Sequence, residues 1–503
     1  MTDAQTADTA SFLKLPTELL DQIASLLPRS ALRALALTSK KANVSATDTL
    51  YKTYLNRTAP AKAPFHLFLR TVCERPDLAA KVKRVDIRGW RSEYEVATGA
   101  AWRGVTEVRD VDQTEKSGPS FTSTEKSVRD SATARFKLFV GAAVKAGIVS
   151  KPTSLSASAL KASIVWYTTL KEDGDFLRLL GRGVEDAQLV LMLALLPNMG
   201  LLNIDGLSPF PLLDWHHFLS RSSTALQKLW AIGLTGSNTS SKEPVVKNSL
   251  QFLDITPNLL KISFIAIAAG GHKFTVQALP STKLETVLLL GCGVNVRLMR
   301  KIMLSQRLNA IAYRPGPAQV NAITGSDISR PVLLASFAHS KLSLRMLVLF
   351  SDGLNFGETS LKVFENLEIL DVPLGDALNT PYDAVEPEDI YARLKDQLPV
   401  SLNHIVLRYM NNTIQSKIVI EQLAVLKMQG ILPHLDRATF NFISAVPPAF
   451  IPAAVVNIGG PTGEVSLDCT WDYLPRIERK VQEDFDELYK DAGICMVVKQ
   501  TDW

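Results

Sequence analysis

One short spacing recurs along this chain: an apolar residue, two of any kind, an apolar, one of any kind, an apolar. It occurs as Val82-x-x-Val85-x-Ile87, Met199-x-x-Leu202-x-Ile204, a degenerate Leu226-x-x-Leu229-x-Ala231 and Leu259-x-x-Ile262-x-Phe264. Further copies are Leu284-x-x-Val287-x-Leu289, Leu308-x-x-Ile311-x-Tyr313, Leu344-x-x-Leu347-x-Leu349 and Leu367-x-x-Leu370-x-Val372. Leu402-x-x-Ile405-x-Leu407 and a weak Leu435-x-x-Ala438-x-Phe440 complete the series. Strand side chains alternate faces, so the middle and last apolar residues of each copy point to one side. From Leu202 onward the middle positions fall 27, 33, 25, 24, 36, 23, 35 and 33 residues apart. The gaps carry polar turns and helical periodicity, at residues 298–304, 331–337, 389–398 and 418–426. A strand, turn and helix of this size buries its apolar face only by stacking on its neighbours. The pattern therefore predicts an α/β fold: a parallel strand ladder with helices on the convex side. A rival spacing, Leu250-x-x-Leu253-x-Ile255, competes with the copy centred on Ile262, whose position suits both neighbours better.

Ahead of the ladder, residues 12–43 read FLKLPTELLDQIASLLPRSALRALALTSKKAN. Pro16 suits the first position of a helix, where a missing N–H costs nothing. Leu19, Leu20, Ile23, Leu26 and Leu27 recur at helical spacing until Pro28 forbids continuation. Ser30 is placed to cap a second helix carrying Leu32, Leu35, Ala36 and Leu37. Ser45 and Asp48 have capping-box spacing before Leu50, Tyr51 and Tyr54. Three short helices bury little surface for their length, so their apolar faces must meet another part of the chain or another protein.

The run Leu15-Pro16-x-Glu18-Leu19-Leu20-x-x-Ile23-x-x-x-Leu27-Pro28, followed by Leu32, Leu35, Leu37 and Thr38-Ser39-Lys40-Lys41, resembles an F-box. The recurring strand motif behind it resembles irregular leucine-rich repeats. Together these resemblances imply a short all-α F-box hairpin followed by an irregular leucine-rich-repeat-like α/β solenoid. They further imply a non-catalytic substrate-recognition subunit of a Skp–cullin–F-box type ubiquitin ligase. In that reading Leu15, Pro16, Leu19, Leu20, Ile23, Leu26, Leu27, Pro28, Leu32, Leu35 and Leu37 meet the Skp adaptor, and through it a cullin–RING ligase. The repeats would hold a protein target, and no cofactor or metal is implied. The alternative is a repeat scaffold unconnected to ubiquitin.

The expected organisation is a disordered start at residues 1–11, the F-box at 12–57, and a linker helix with the first strand at 58–90. A polar stretch around GPSFTSTEKS reads as a flexible loop over 91–137. Residues 138–446 form the array with a helical start, and 447–503 a C-terminal cap. Net charge is only +5, too small for a nucleic-acid wrapper, although residues 12–90 hold fourteen Lys/Arg against six Asp/Glu. Cys73, Cys292, Cys469 and Cys495 are scattered, as reduced thiols of a cytoplasmic or nuclear protein would be. The polar first residues lack the features of a signal peptide. The longest apolar run, AQLVLMLALLP, has the length of a buried helix rather than of a membrane span.

Two motifs suggest chemistry and fail on spacing. Thr286–Val294, TVLLLGCGV, resembles the first motif of an S-adenosylmethionine-dependent methyltransferase, but the third glycine and the ribose-binding acid are missing. The same residues complete a repeat, with Cys292 where leucine-rich repeats take Asn or Cys. His216 and His217 are adjacent, so they point apart and chelate poorly.

Overall fold

The computed structural model of the chain describes residues 15–56, 65–88, 123–150, 171–181, 183–207, 213–236, 255–266, 268–269, 283–294, 299–300, 302–303, 307–316, 330–350, 360–378, 385–410, 414–443 and 476–501. The expected disordered start, 1–11, lies outside these residues. The chain divides into two compact units, residues 1–281 and 282–503.

The first unit opens with three helices, α1 (Thr17–Leu26), α2 (Arg29–Ala36) and α3 (Lys40–Lys52). Pro16 and Pro28 sit in extended conformation one residue before α1 and α2, so each helix starts directly after a proline and Ser30 lies inside α2. Ser39 caps α3, its Oγ accepting the Ala42 N–H at 3.1 Å. Ser45, expected at a helix start, is instead buried in the middle of α3. The Ser39 cap comes earlier in the chain and leaves no break before Ser45. α3 runs straight into β1 (Thr53–Leu55), within the stretch expected to be wholly helical.

Among the described residues four more ladder strands follow in this unit, β2 (Arg84–Arg88), β3 (Leu201–Leu207), β4 (Ala231–Gly236) and β5 (Lys261–Ile265), with the two-residue strand Ala268–Ala269 off that path. Each ladder strand pairs in parallel with the one before it. The copy centred on Ile262 forms β5 as expected, Ile262 lying beside Ile232. The degenerate copy was read three residues early. Leu202 pairs with Ile232 and Ile204 with Leu234, so the true motif is Leu229-x-x-Ile232-x-Leu234. Leu226 has a φ of 57°, in the left-handed turn region that regular strand geometry does not use. The middle positions Leu202, Ile232 and Ile262 are equally spaced.

Between β1 and β2 lie α4 (Phe65–Glu74) and α5 (Pro76–Ala79). Between β2 and β3 lie α6 (Ser123–Lys145), α7 (Lys171–Gly181) and α8 (Glu185–Leu195). The expected loop at 91–137 is corrected at its end, because 123–137 form the first turns of α6; residues 89–122 lie outside the described set. Phe136, Phe139, Val140 and Ala143 form a buried stripe at helical spacing, which carries the polar start along as helix. α8 is buried all round, as its unbroken apolar run predicts. Asp173 on α7 is buried, and its carboxylate receives Arg221 Nη1 at 2.5 Å and the Ser150 N–H at 2.7 Å.

Among the described residues the second unit has seven strands: β6 (Thr286–Val294), β7 (Ala310–Pro315), β8 (Met346–Leu349), β9 (Ile369–Pro373), β10 (His404–Met410), β11 (Arg437–Ile443) and β12 (Cys495–Thr501). They too are parallel and in chain order, and the strand order does not close into a barrel. Val287, Ile311, Leu347, Leu370, Ile405, Ala438 and Met496 lie side by side in one buried line. The intervening helices include α10 (Arg330–Ser336), α11 (Leu374–Leu378), α12 (Ile390–Gln397), α13 (Ile414–Met428) and α14 (Arg476–Asp491). Of the helix expected at 298–304, residues 299, 300 and 302 are helical and 303 is a turn; the others lie outside the described residues. The Pro/Gly-rich run at 447–461 lies outside the described residues. The terminal strand β12 continues the ladder as a further rung, and Tyr489 of α14 donates to the Ile420 carbonyl of α13 at 2.7 Å. No described helix is long and apolar enough to cross a membrane.

One hydrogen-bond motif repeats at the strand entries. A single carbonyl accepts two successive N–H groups from the next strand's entry: Glu285 from Asn309 and Ala310, Asn309 from Arg345 and Met346, Arg345 from Glu368 and Ile369. Glu368, Asn403, Lys83, Gly200 and Trp230 do the same. The polar residue just before the first apolar of a motif often adds a side-chain bond. Asn198, Asn258 and Asn366 donate to the carbonyls of Ala80, Gln227 and Leu342, and Ser343 and Ser401 to those of Leu308 and Leu367.

Ile232→Ala is expected to cost about 2–5 kcal/mol in urea unfolding, since it hollows a fully enclosed rung. Burial raises the Asp173 carboxyl, but Arg221 and the Ser150 amide and hydroxyl outweigh it and hold it below the usual carboxylate range. A depressed folded value means this contribution is complete above the unfolded-chain value of about 3.9 and is lost as pH falls through the folded one. Urea midpoints measured at decreasing pH should drop in that window, and Asp173→Asn should flatten that part of the profile.

Candidate functional site

Among the described residues, each unit presents a surface on which apolar or charged side chains gather. In the first, α1 carries two apolar stripes about 100° apart. Leu20, Ala24 and Leu27 face inward, and Leu20 and Ala24 are wholly buried. Ala24, Leu32 and Ala46 form the hairpin's own core, with Leu27, Leu35, Ala36 and Leu50 packed against it. The neighbouring stripe, Leu19, Ile23 and Leu26, faces away: Leu26 is 85% exposed and Leu19 43%, with Ile23 half-buried. Leu37, at the end of α2, is 88% exposed.

The eleven expected adaptor residues therefore divide. Leu19, Leu26, Leu37, Pro16 and Pro28 are exposed, and Leu15, Ile23, Leu27 and Leu35 are half-buried. Leu20 and Leu32 are enclosed and belong to the internal core, because each lies on the side of its helix that meets α3. Val44 on α3 is also exposed, and the polar run around it gave no sign of this. Polar bonds hold the three helices in place. Asn43 Nδ2 donates to the Ala36 carbonyl at 2.8 Å, Lys41 Nζ to that of Leu15 at 2.5 Å, and Arg29 Nη2 to that of Thr53 at 2.6 Å. The last of these ties α2 to the first strand.

In the second unit the surface is the sheet face opposite the buried rung line. Leu288, Ala312 and Val348 form a buried cluster there, and the partly buried Leu290, Met346 and Phe350 pack against it. Beyond this apolar half the face becomes charged. Asp371 on β9 receives both Arg408 nitrogens in a forked pair, Nη2 at 2.5 Å, and the Arg408 guanidinium lies 3.8 Å from the centre of the Phe350 ring. His404 Nε2 is 3.2 Å from Thr439 Oγ1. Burial, then Arg437, holds the His404 imidazole below its ordinary range, with Lys499 adding to the effect and Asp371 opposing it. His404, Arg437 and Lys499 thus form one neighbourhood across β10–β12.

The other motifs have structural explanations. Gly291 and Gly293 lie within β6; Gly291 has a φ of 65° at the point where the pairing with β7 slips, so the glycines form a strand irregularity and not a loop opening a helix. Cys292 is buried, its thiol directed at the Leu290 carbonyl at 3.5 Å. His216 and His217 sit on α9 (Trp215–Leu219), capped by Asp214, which accepts the His217 N–H at 3.1 Å. Among the described residues no group of His, Cys, Asp and Glu is arranged to hold a metal.

Asp371→Ala should cost roughly 1.5–3 kcal/mol in urea unfolding, because Arg408 keeps its charge on a half-buried surface and loses both acceptors.

No protein-family model matches this chain, and neither does any curated protein.

Proposed function

We propose that this chain is the substrate-recognition subunit of a Skp–cullin–F-box type ubiquitin ligase, with the N-terminal hairpin as F-box and the strand ladders as an irregular leucine-rich-repeat solenoid. The observation that carries the reading is the split of α1. One apolar stripe closes the hairpin's own core, and the other, with Leu37, is left outward on a module that leads directly into β1. A stand-alone cap on the sheet has no use for leucines on its solvent side. The parallel strands in chain order, with the spaced leucines in one buried line, support the repeat reading. The chain would act by proximity: the hairpin holds the Skp adaptor, the ladder holds a target protein, and a separate catalytic module of the ligase modifies that target. The gain is in effective concentration, with no bond made or broken by this chain.

Co-expression with a Skp adaptor tests this. The wild-type chain should co-purify with the adaptor, and Leu26→Asp combined with Leu37→Asp should lower capture more than tenfold while the urea midpoint stays unchanged, since both residues are exposed. A wild-type chain that never captures the adaptor overturns the proposal.

A further inference from the structure

Resting on the receptor reading above, we infer that the open strand face over β8–β12 docks an extended acidic segment of the target protein. The first argument is charge. Residues 282–503 hold 21 Lys/Arg against 25 Asp/Glu, a net −4, yet this face runs the other way. Strands β10–β12 present Arg408, Arg437 and Lys499 on positions that share one face with His404. The one carboxylate among them, Asp371, is committed to Arg408 through both oxygens. Arg437 and Lys499 are exposed, and neither forms an ion pair among the described residues.

The second argument is the neighbouring chemistry. The charged strip adjoins the partly buried Leu290, Met346 and Phe350, which pack against the buried Leu288, Ala312 and Val348. A polypeptide with acidic and apolar side chains suits both halves. A nucleic acid suits neither, because the unit is net negative and its one aromatic at the junction, Phe350, is already covered by Arg408. The third argument is size. Four inter-strand steps of about 4.8 Å span about 19 Å, the reach of about six extended residues crossing the ladder.

The test uses the full-length protein and fluorescein-labelled twelve-residue peptides, alternating Glu/Val, Gln/Val or Lys/Val, read by anisotropy at low and physiological salt. The Glu/Val peptide should bind more than tenfold tighter than the other two, and weaken with salt. Arg437→Glu with Lys499→Glu should reduce that binding more than tenfold, while Arg437→Lys with Lys499→Arg should preserve it. Equal binding of all three peptides, indifference to the charge reversal in a chain with an unchanged urea midpoint, or tighter binding of a single-stranded oligonucleotide overturns the inference. Adaptor capture, scored on the same proteins, separates the two readings. Acidic-peptide binding without adaptor capture sinks the ligase reading and supports the surface; adaptor capture with no acidic preference sinks the surface alone.

Discussion

The rest of the structure depends on the doubled hydrogen bond at the strand entries. One carbonyl per rung takes two successive N–H groups from the next, and the acceptor at one entry lies beside the donor passed on to the following one. This fixes register to the residue. A slip of one would turn every spaced leucine to the wrong face. With register fixed, Val287, Ile311, Leu347, Leu370 and Ile405 fall into a single line and bury one another, which no isolated strand of this length could achieve. Stability is thus a property of neighbouring rungs and of their shared faces.

The two surfaces follow from the same constraint. A parallel ladder commits one face of each strand to the core and leaves the chemistry of the other free to vary along the sheet. In the second unit it divides into the apolar half around Val348 and the basic half around Arg437 and Lys499, joined where Arg408 lies between Asp371 and Phe350. The hairpin does in a helix what the ladder does in a sheet. α1 uses Leu20 and Ala24 for its own folding and holds Leu19 and Leu26 in reserve.

Much of the ladder could be read from the chain alone because a period-two strand motif leaves an explicit mark, and nine of the ten copies lie on strands in the expected phase. The exception, at Leu226, shows where such reading fails. Leu226, Leu229, Ile232 and Leu234 are all apolar and all buried, so two phases fit equally well; pairing with Leu202 and Ile204 chose between them. The helix over 123–137 was hidden for a different reason. Its residues are polar, and their helicity depends on the buried stripe at Phe136–Ala143 that follows them.

Spacing and composition alone carried the α/β class, the parallel order of strand and helix and the helical start of the chain. They could not tell which of the eleven candidate residues stay on the surface, because two stripes of one helix look alike until a third helix packs on one of them. Packing of α3 buried Leu20 and Leu32 and left Leu26 and Leu37 outside. Nor did sequence reveal the basic strip. His404, Arg437 and Lys499 lie in three strands separated by 33 and 62 residues, and only parallel pairing in register brings them to one face.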